Sequence, residues 1–416
     1  MGTMEAMDGN RSAAHVDKVI GEVLAGIASE SGRVNPYLFY ERLRPFGPYV
    51  TASDGSVIVS GYRAVSAFLK DHRLGKAPER RLAAEGYPDW RERPSLRLMY
   101  SSLLMLNPPA HTRLRRLVSA AFTPRRVESL RPAVDRIVMD LLDALDQRQV
   151  TDFIAAFAFP LPVAVIGELL GVPASDWPMF QALSRSWVTV LEDLSPAAVD
   201  RADPAATAIG DYLADLARVR AGQPRDDLIS AMAQAAGGDQ LTGEEVVTMA
   251  ALMLVAGFET TTGLLSNGLL ALLGHPGQAA RLREEPGLAI PATEELLRYD
   301  APVQLLLSRV ATENMEVAGM TLEAGQRVTS LLGAANRDPA VFTRPDELIL
   351  DRREEPAVSF GGGIHYCVGA ALARLEAQVA FPALLTRFPQ IALAGRPVPR
   401  MGISFLGHVA MPVSAR

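Results

Sequence analysis

Phe360-Gly361-Gly362-Gly363-Ile364-His365-Tyr366-Cys367-Val368-Gly369 holds the only cysteine in this chain of 416 residues. Three consecutive glycines precede it, and an apolar segment with helical spacing follows (Ala370, Ala371, Leu372, Leu375, Val379). Glycines make a loop that side chains do not crowd, so a large flat group can approach the backbone. A cysteine just ahead of a helix start sits near the positive end of the helix dipole, which favours thiolate over thiol. A thiolate under a flat prosthetic group suggests haem ligated through sulfur. Two other readings stay open on these residues. A lone cysteine is more often a small buried hydrophobe, and it can also be a nucleophile. A nucleophile elbow, however, wants glycine where His365 stands.

Working outward, nearly half of the residues are hydrophobic (49%) and the net charge is −6, which argues against a nucleic-acid surface. One cysteine excludes an intramolecular disulfide, so a reducing cytoplasm is the simplest location. Residues 1–34 carry Glu5, Asp8, Arg11, Asp17, Lys18 and Glu22 and show neither a signal-peptide core nor a membrane anchor. They are expected to be a partly flexible segment ahead of one domain, 35–416. Tyr49–Thr51 and Ser56–Val59 flank Asp54-Gly55, a hairpin turn. Helical patterning then dominates from Arg63 until sheet signals return after Pro302. Pro302–Val310 reads as a strand and Met315–Thr321 as a hairpin. The fold class is mostly α with a small β portion.

Val246–Leu273 is the longest apolar run and is interrupted by a single charge, Glu259. By length it resembles a transmembrane helix. Its centre, Ala256-Gly257-Phe258-Glu259-Thr260-Thr261-Thr262, argues otherwise, since threonine hydroxyls there can bond to a carbonyl one turn back and distort the helix. One acid beside one alcohol in a buried helix is suited to proton delivery. A core helix with a strained middle is the plainer reading. Glu295 and Arg298 form an E-x-x-R pair across one turn, a spacing that contributes only ~0.3–0.5 kcal/mol when exposed. In the segment after Cys367, Pro382 is expected to kink or loosen the helix.

These stretches together resemble the cytochrome P450 family. Phe360, Gly363, Cys367 and Gly369 fall on the fixed positions of its haem-binding pattern F-x-x-G-x-x-x-C-x-G. Ala256–Thr260 resembles its oxygen-activating helix, A/G-G-x-D/E-T. Glu295 and Arg298, with Arg352 as third member, resemble its buried structural trio. The resemblance spans residues 35–416 and implies the single-domain P450 fold with haem b, iron protoporphyrin IX. It makes Cys367 the axial metal ligand, with Phe360 and Gly369 framing it. His111, Arg115, Arg309 and His365 would meet the haem propionates, and Ala256 would lie against the cofactor. Glu259 and Thr260 would relay protons. Met99, Leu104, Leu252, Val255, Leu305, Leu307, Ser404 and Phe405 would face the substrate.

The implied activity is monooxygenation by O2 of a C–H or C=C bond. The apolar lining favours a bulky lipophilic molecule such as a polyketide, macrolide or terpenoid of bacterial secondary metabolism. The chain shows no dinucleotide fingerprint and no cysteine set for an iron–sulfur cluster, so electrons would come from a separate ferredoxin and its NAD(P)H-dependent reductase. Arg113, Arg116, Arg125 and Arg126 are candidate docking charges for such a donor. No nucleic acid or membrane is expected as partner, and the chain is read as a monomer. Two alternatives remain: a haem sensor or carrier, which would not need Glu259-Thr260, and a cysteine acyl transferase, which would want an alternating α/β pattern.

Overall fold

The computed structural model describes residues 2–119, 122–145, 150–237 and 241–415. Helices dominate, and short strands form one five-stranded sheet and three smaller ones. The contacts within the chain divide it into two compact units, each discontinuous in sequence. The first comprises 1–76, 266–367 and 395–411. The second comprises 77–265, 368–394 and 412–416.

The first unit is organised on the five-stranded sheet. Strands follow in the order Tyr49–Thr51, Val57–Val59, Arg327–Leu331, Leu305–Ala311, Leu74–Gly75, with only the second and third parallel. The hairpin forms at Asp54-Gly55 because Gly55 takes φ 78° and the Asp54 carboxylate accepts from the Ser56 amide at 2.8 Å. Strand alternation then sorts side chains between two cores. Val57 and Val59 pack with Val65, Phe68 and Leu69 of the helix Tyr62–Lys70. Ile58, Leu305 and Leu331 pack instead with Tyr37, Tyr40 and the first helix, Gly2–Ala28. Val19, Ile20, Val23 and Ile27 of that helix are buried.

The second unit is helical, with one small three-stranded sheet whose central strand is Pro412–Ser414. Its longest element is the helix Gly243–Gly274, of which 266–274 counts in the first unit. A reciprocal cap starts that helix: the Thr242 amide donates to Glu245 Oε2 and the Glu245 amide to Thr242 Oγ1. Its apolar window is long enough to cross a membrane, but 67% of that window is buried inside the protein. The threonines do not break it, since it runs unbroken through Thr260–Thr262. The helix Ala370–Arg387 likewise continues past Pro382. It packs on Arg131–Ala144 and Pro124–Ser129.

Candidate active site

In the first unit the loop around Cys367 is closed on itself. The Cys367 amide donates to Phe360 O at 3.0 Å, Gly361 N to Val358 O at 2.8 Å and Tyr366 N to Gly363 O at 3.1 Å. Gly361 and Gly363 take φ 71° and 63°, which other residues adopt at a cost. Within the protein, the glycines also permit a close approach of another segment. A Cβ on Gly363 would stand 2.5 Å from Leu69 O, and one on Gly362 would stand 3.0 Å from Leu69 Cβ. The neighbour that requires their small size is therefore the end of the helix Tyr62–Lys70. Gly369, by contrast, has nothing within 4 Å of where its Cβ would be. Cys367 itself is partly exposed.

Arg309 lies on the strand Leu305–Ala311 and is 5% exposed. One of its hydrogen bonds goes from Nη1 to Leu69 O, at 3.2 Å, capping a carbonyl at the end of the helix Tyr62–Lys70. Nε is buried with no protein partner, and burial pushes the guanidinium's pKa down. A buried cation is normally paired with an anion. The carboxylates of haem are such anions, so the residues present fit the group that the sequence implies. His365 ends the 3-10 turn Gly363–His365 beside Cys367 and is partly buried.

Glu295 and Arg298, on the helix Ala289–Tyr299, are 2% exposed. Arg298 donates to both Glu295 oxygens at 2.7 and 2.9 Å, and to the carbonyls of Asn336, Pro345 and Glu347. Arg352 Nε adds bonds of 3.0 and 3.2 Å to the same carboxylate, and the Ile349 amide adds one of 2.8 Å. This is a buried network, and losing one member strands a charge. It continues through a residue the sequence did not single out as a site. Asn336 donates to Ser359 Oγ at 2.8 Å and accepts from the Val358 amide at 2.8 Å, while Ser359 Oγ donates to Leu297 O. Asn336 thereby ties the network to the residues immediately before Phe360. Beside it, the Arg337 guanidinium lies between the rings of Tyr37 and Tyr299, at 3.6 and 4.1 Å.

Of the substrate-facing residues proposed in this unit, Leu305 is instead a core residue, 2% exposed among Tyr37, Tyr40 and Leu331. Strand alternation points it there. The side chain of Leu307 lies outside the described ones. Ser404 is buried and Phe405 partly so, in a turn docked by Gln304 N to Ser404 O (2.8 Å) and Leu406 N to Pro302 O (2.8 Å). The Arg400 guanidinium sits 4.8 Å from the centre of the Phe405 ring, a charge that the apolar reading of this segment missed.

In the second unit the middle of the helix Gly243–Gly274 presents a mixed face. Ala256 is exposed and Leu252, Gly257, Glu259 and Thr260 are partly so, whereas Val255 and Phe258 are buried. Thr260 Oγ1 donates to Ala256 O at 2.9 Å and Thr261 Oγ1 to Gly257 O at 2.8 Å, as the spacing predicts. Gly257 serves helix packing, because a Cβ there would stand 3.3 Å from Ile166. Met99 is fully buried, and Leu104 lies in a turn after the helix Pro94–Tyr100. His111 is 2% exposed and Arg115 partly buried, one turn apart on Ala110–Ser119.

The expected docking charges are partly spent inside the fold. Arg113 pairs with Glu245 and holds that carboxyl below its usual range, and Arg126 forks onto Asp226 at 2.8 and 3.0 Å. Their partners stand 132 and 100 residues away in sequence, beyond the reach of any local pattern. Burial also pushes the Glu376 carboxyl, on the helix that follows Cys367, up to about 8.

A family model described as Cytochrome P450 matches residues 214–404. The chain is 38% identical over 361 residues to the polyketide biosynthesis cytochrome P450 PksS of Bacillus subtilis, covering 86% of this chain and 88% of that protein. It is 39% identical over 383 residues to the cytochrome P450 monooxygenase PikC of Streptomyces venezuelae, covering 88% and 87% respectively. Among solved structures, P450BioI in complex with acyl carrier protein carrying hexadec-9Z-enoic acid superposes with a TM-score of 0.85 at 38% identity. That match covers 93% of this chain and all of the other. With a cysteine loop, a haem-compatible buried arginine and this degree of likeness, the chain belongs to the cytochrome P450 family and is a haem b monooxygenase.

Proposed function

We propose that this P450 oxidises a bulky apolar small molecule of bacterial secondary metabolism, of polyketide, macrolide or terpenoid type. The observation that carries this reading is the chemistry of the side chains assigned to substrate contact. Leu104 and Leu252 in one unit and Phe405 in the other, the members of that set that are partly exposed, bear no charge. The polyketide role in the name of PksS supports the same class. Electrons would come from a separate ferredoxin and an NAD(P)H-dependent ferredoxin reductase, and the enzyme would work as a cytoplasmic monomer.

Bound haem supplies the reduction of O2 and the transfer of one oxygen atom to substrate. The chain's own residues position and protonate. Cys367 would hold the iron as thiolate, in a loop closed by its own backbone hydrogen bonds. Arg309, whose buried Nε has no protein partner, would hold a propionate, and His111, Arg115 and His365 would add donors for the propionates. Thr260 Oγ1 gives its hydrogen to Ala256 O, which leaves its lone pairs to accept a proton, and Glu259 next to it passes protons in from solvent. Glu295, Arg298 and Arg352 hold the segment that leads into the cysteine loop.

A second reading rests on the acyl carrier protein complex of P450BioI: the substrate is an acyl chain presented on a carrier. Titrating the ferric protein with macrolactones, terpenoids, free fatty acids and acyl-carrier conjugates separates the two. A spectral shift with free macrolactone or terpenoid, followed by turnover with a surrogate ferredoxin and reductase, supports the first. A response to carrier conjugates only would replace it with the second.

A further inference from the structure

The second unit contains a half-open cavity of about 680 Å³ that none of the proposed haem or substrate residues lines. Its walls are Leu117, Leu169, Leu228, Met232 and Leu241, two of them on the helix Leu228–Gly237. That volume lies in the range of small-molecule sites, which are mostly apolar with a few polar groups that fix orientation. Four charged residues reach it: Arg125, Arg126, Asp226 and Asp227. Three are already satisfied within the protein. Asp227 accepts from Arg220 Nε at 2.8 Å and from the Ser230 amide at 2.7 Å, and Arg126 forks onto Asp226. Arg125 is exposed and has no hydrogen bond or ion pair among the described residues.

We propose that this cavity is a second ligand site, separate from the haem, for an aliphatic monocarboxylate. The apolar walls take the chain, and Arg125 takes the carboxylate in a charge-assisted hydrogen bond. A polyanion is disfavoured because the carboxylates of Asp226 and Asp227 line the same cavity. A cation would meet Arg125.

The test is calorimetric titration of the haem-loaded protein with dodecanoate, with dodecanol and dodecylamine as controls, while haem absorbance is recorded. The site predicts a dodecanoate isotherm that leaves the haem spectrum unchanged, weaker dodecanol binding and no dodecylamine binding. Arg125→Ala should weaken dodecanoate about tenfold, and Arg125→Lys should recover most of it. Ala235→Trp, at a half-buried lining position, should abolish binding by filling the space. The proposal is overturned if dodecanoate does not bind, if its only isotherm tracks a haem spectral change, or if Arg125→Ala and Ala235→Trp bind it like the parent. None of these outcomes bears on the assignment of substrate class at the haem.

Discussion

Between Glu295 and Cys367 the chain is stitched by ions and hydrogen bonds. One carboxylate takes two arginines and a backbone amide, Asn336 carries the link to Val358 and Ser359, and the loop then closes through Phe360 O. The middle of the helix Gly243–Gly274 is built otherwise. Apolar packing holds its flanks, while Ala256 stays exposed and Thr260 Oγ1 donates back to its own helix's Ala256 O. The first region spends its polar groups on holding still; the second, in the function we propose, keeps an acid and an alcohol for proton delivery. Substitutions in the first should therefore show up as lost stability, and those in the second as misdirected electrons.

The hardest blow to this contrast would come from Cys367→His. If the cysteine loop exists to present a thiolate, the variant loses monooxygenase turnover, and its ferrous carbon monoxide spectrum loses the thiolate red shift. An unchanged spectrum would remove the ligand from Cys367. Next is Arg298→Ala, which strands part of a buried carboxylate and should cost about 3–5 kcal/mol in denaturant unfolding. A cost below ~1 kcal/mol would make the network as dispensable as a surface pair.

Glu376→Gln probes the helix after Cys367, with an effect of up to a few kcal/mol that depends on pH. Burial raises that carboxyl from 4.5 to about 8 in the folded chain. Between those values the folded protein keeps a proton that the unfolded chain releases. Stability should therefore fall as pH rises from about 4.5 to about 8, with no contribution below that window. Glu376→Gln should flatten the slope, and an identical slope in both proteins would assign it to other groups. The smallest effect on the fold is expected from Thr260→Ala: stability within ~0.5 kcal/mol of the parent, but product per electron down about tenfold with hydrogen peroxide in its place. Full coupling in that variant would leave the helix centre with no role in proton delivery.

Much of this was legible in the residues. Asp54-Gly55 specifies its hairpin through local turn chemistry, and the back-bonding of Thr260 and Thr261 follows from their position one turn beyond Ala256 and Gly257. The E-x-x-R spacing indicated a pair. It could not indicate that the pair is buried, and burial is what turns a weak surface contact into a structural one. Arg113 and Arg126 looked like free surface cations until Glu245 and Asp226 arrived from distant segments. Leu305 read as a pocket wall, but the strand's alternation turns it into a core.

The sequence by itself determined the class of chemistry. A sole cysteine in a glycine-framed loop, an acid beside an alcohol in an apolar helix, and their order along the chain are local patterns. Local backbone and side-chain preferences suffice to read them. Only the tertiary structure decided which groups are spent on holding the fold. It showed that Gly362 and Gly363 make room for Leu69, that Asn336 joins the ion network to the cysteine loop, and that Arg125 alone among the cavity's charges lacks a protein partner among the described residues. Those facts depend on which distant segments become neighbours, and burial then sets the energy of each contact.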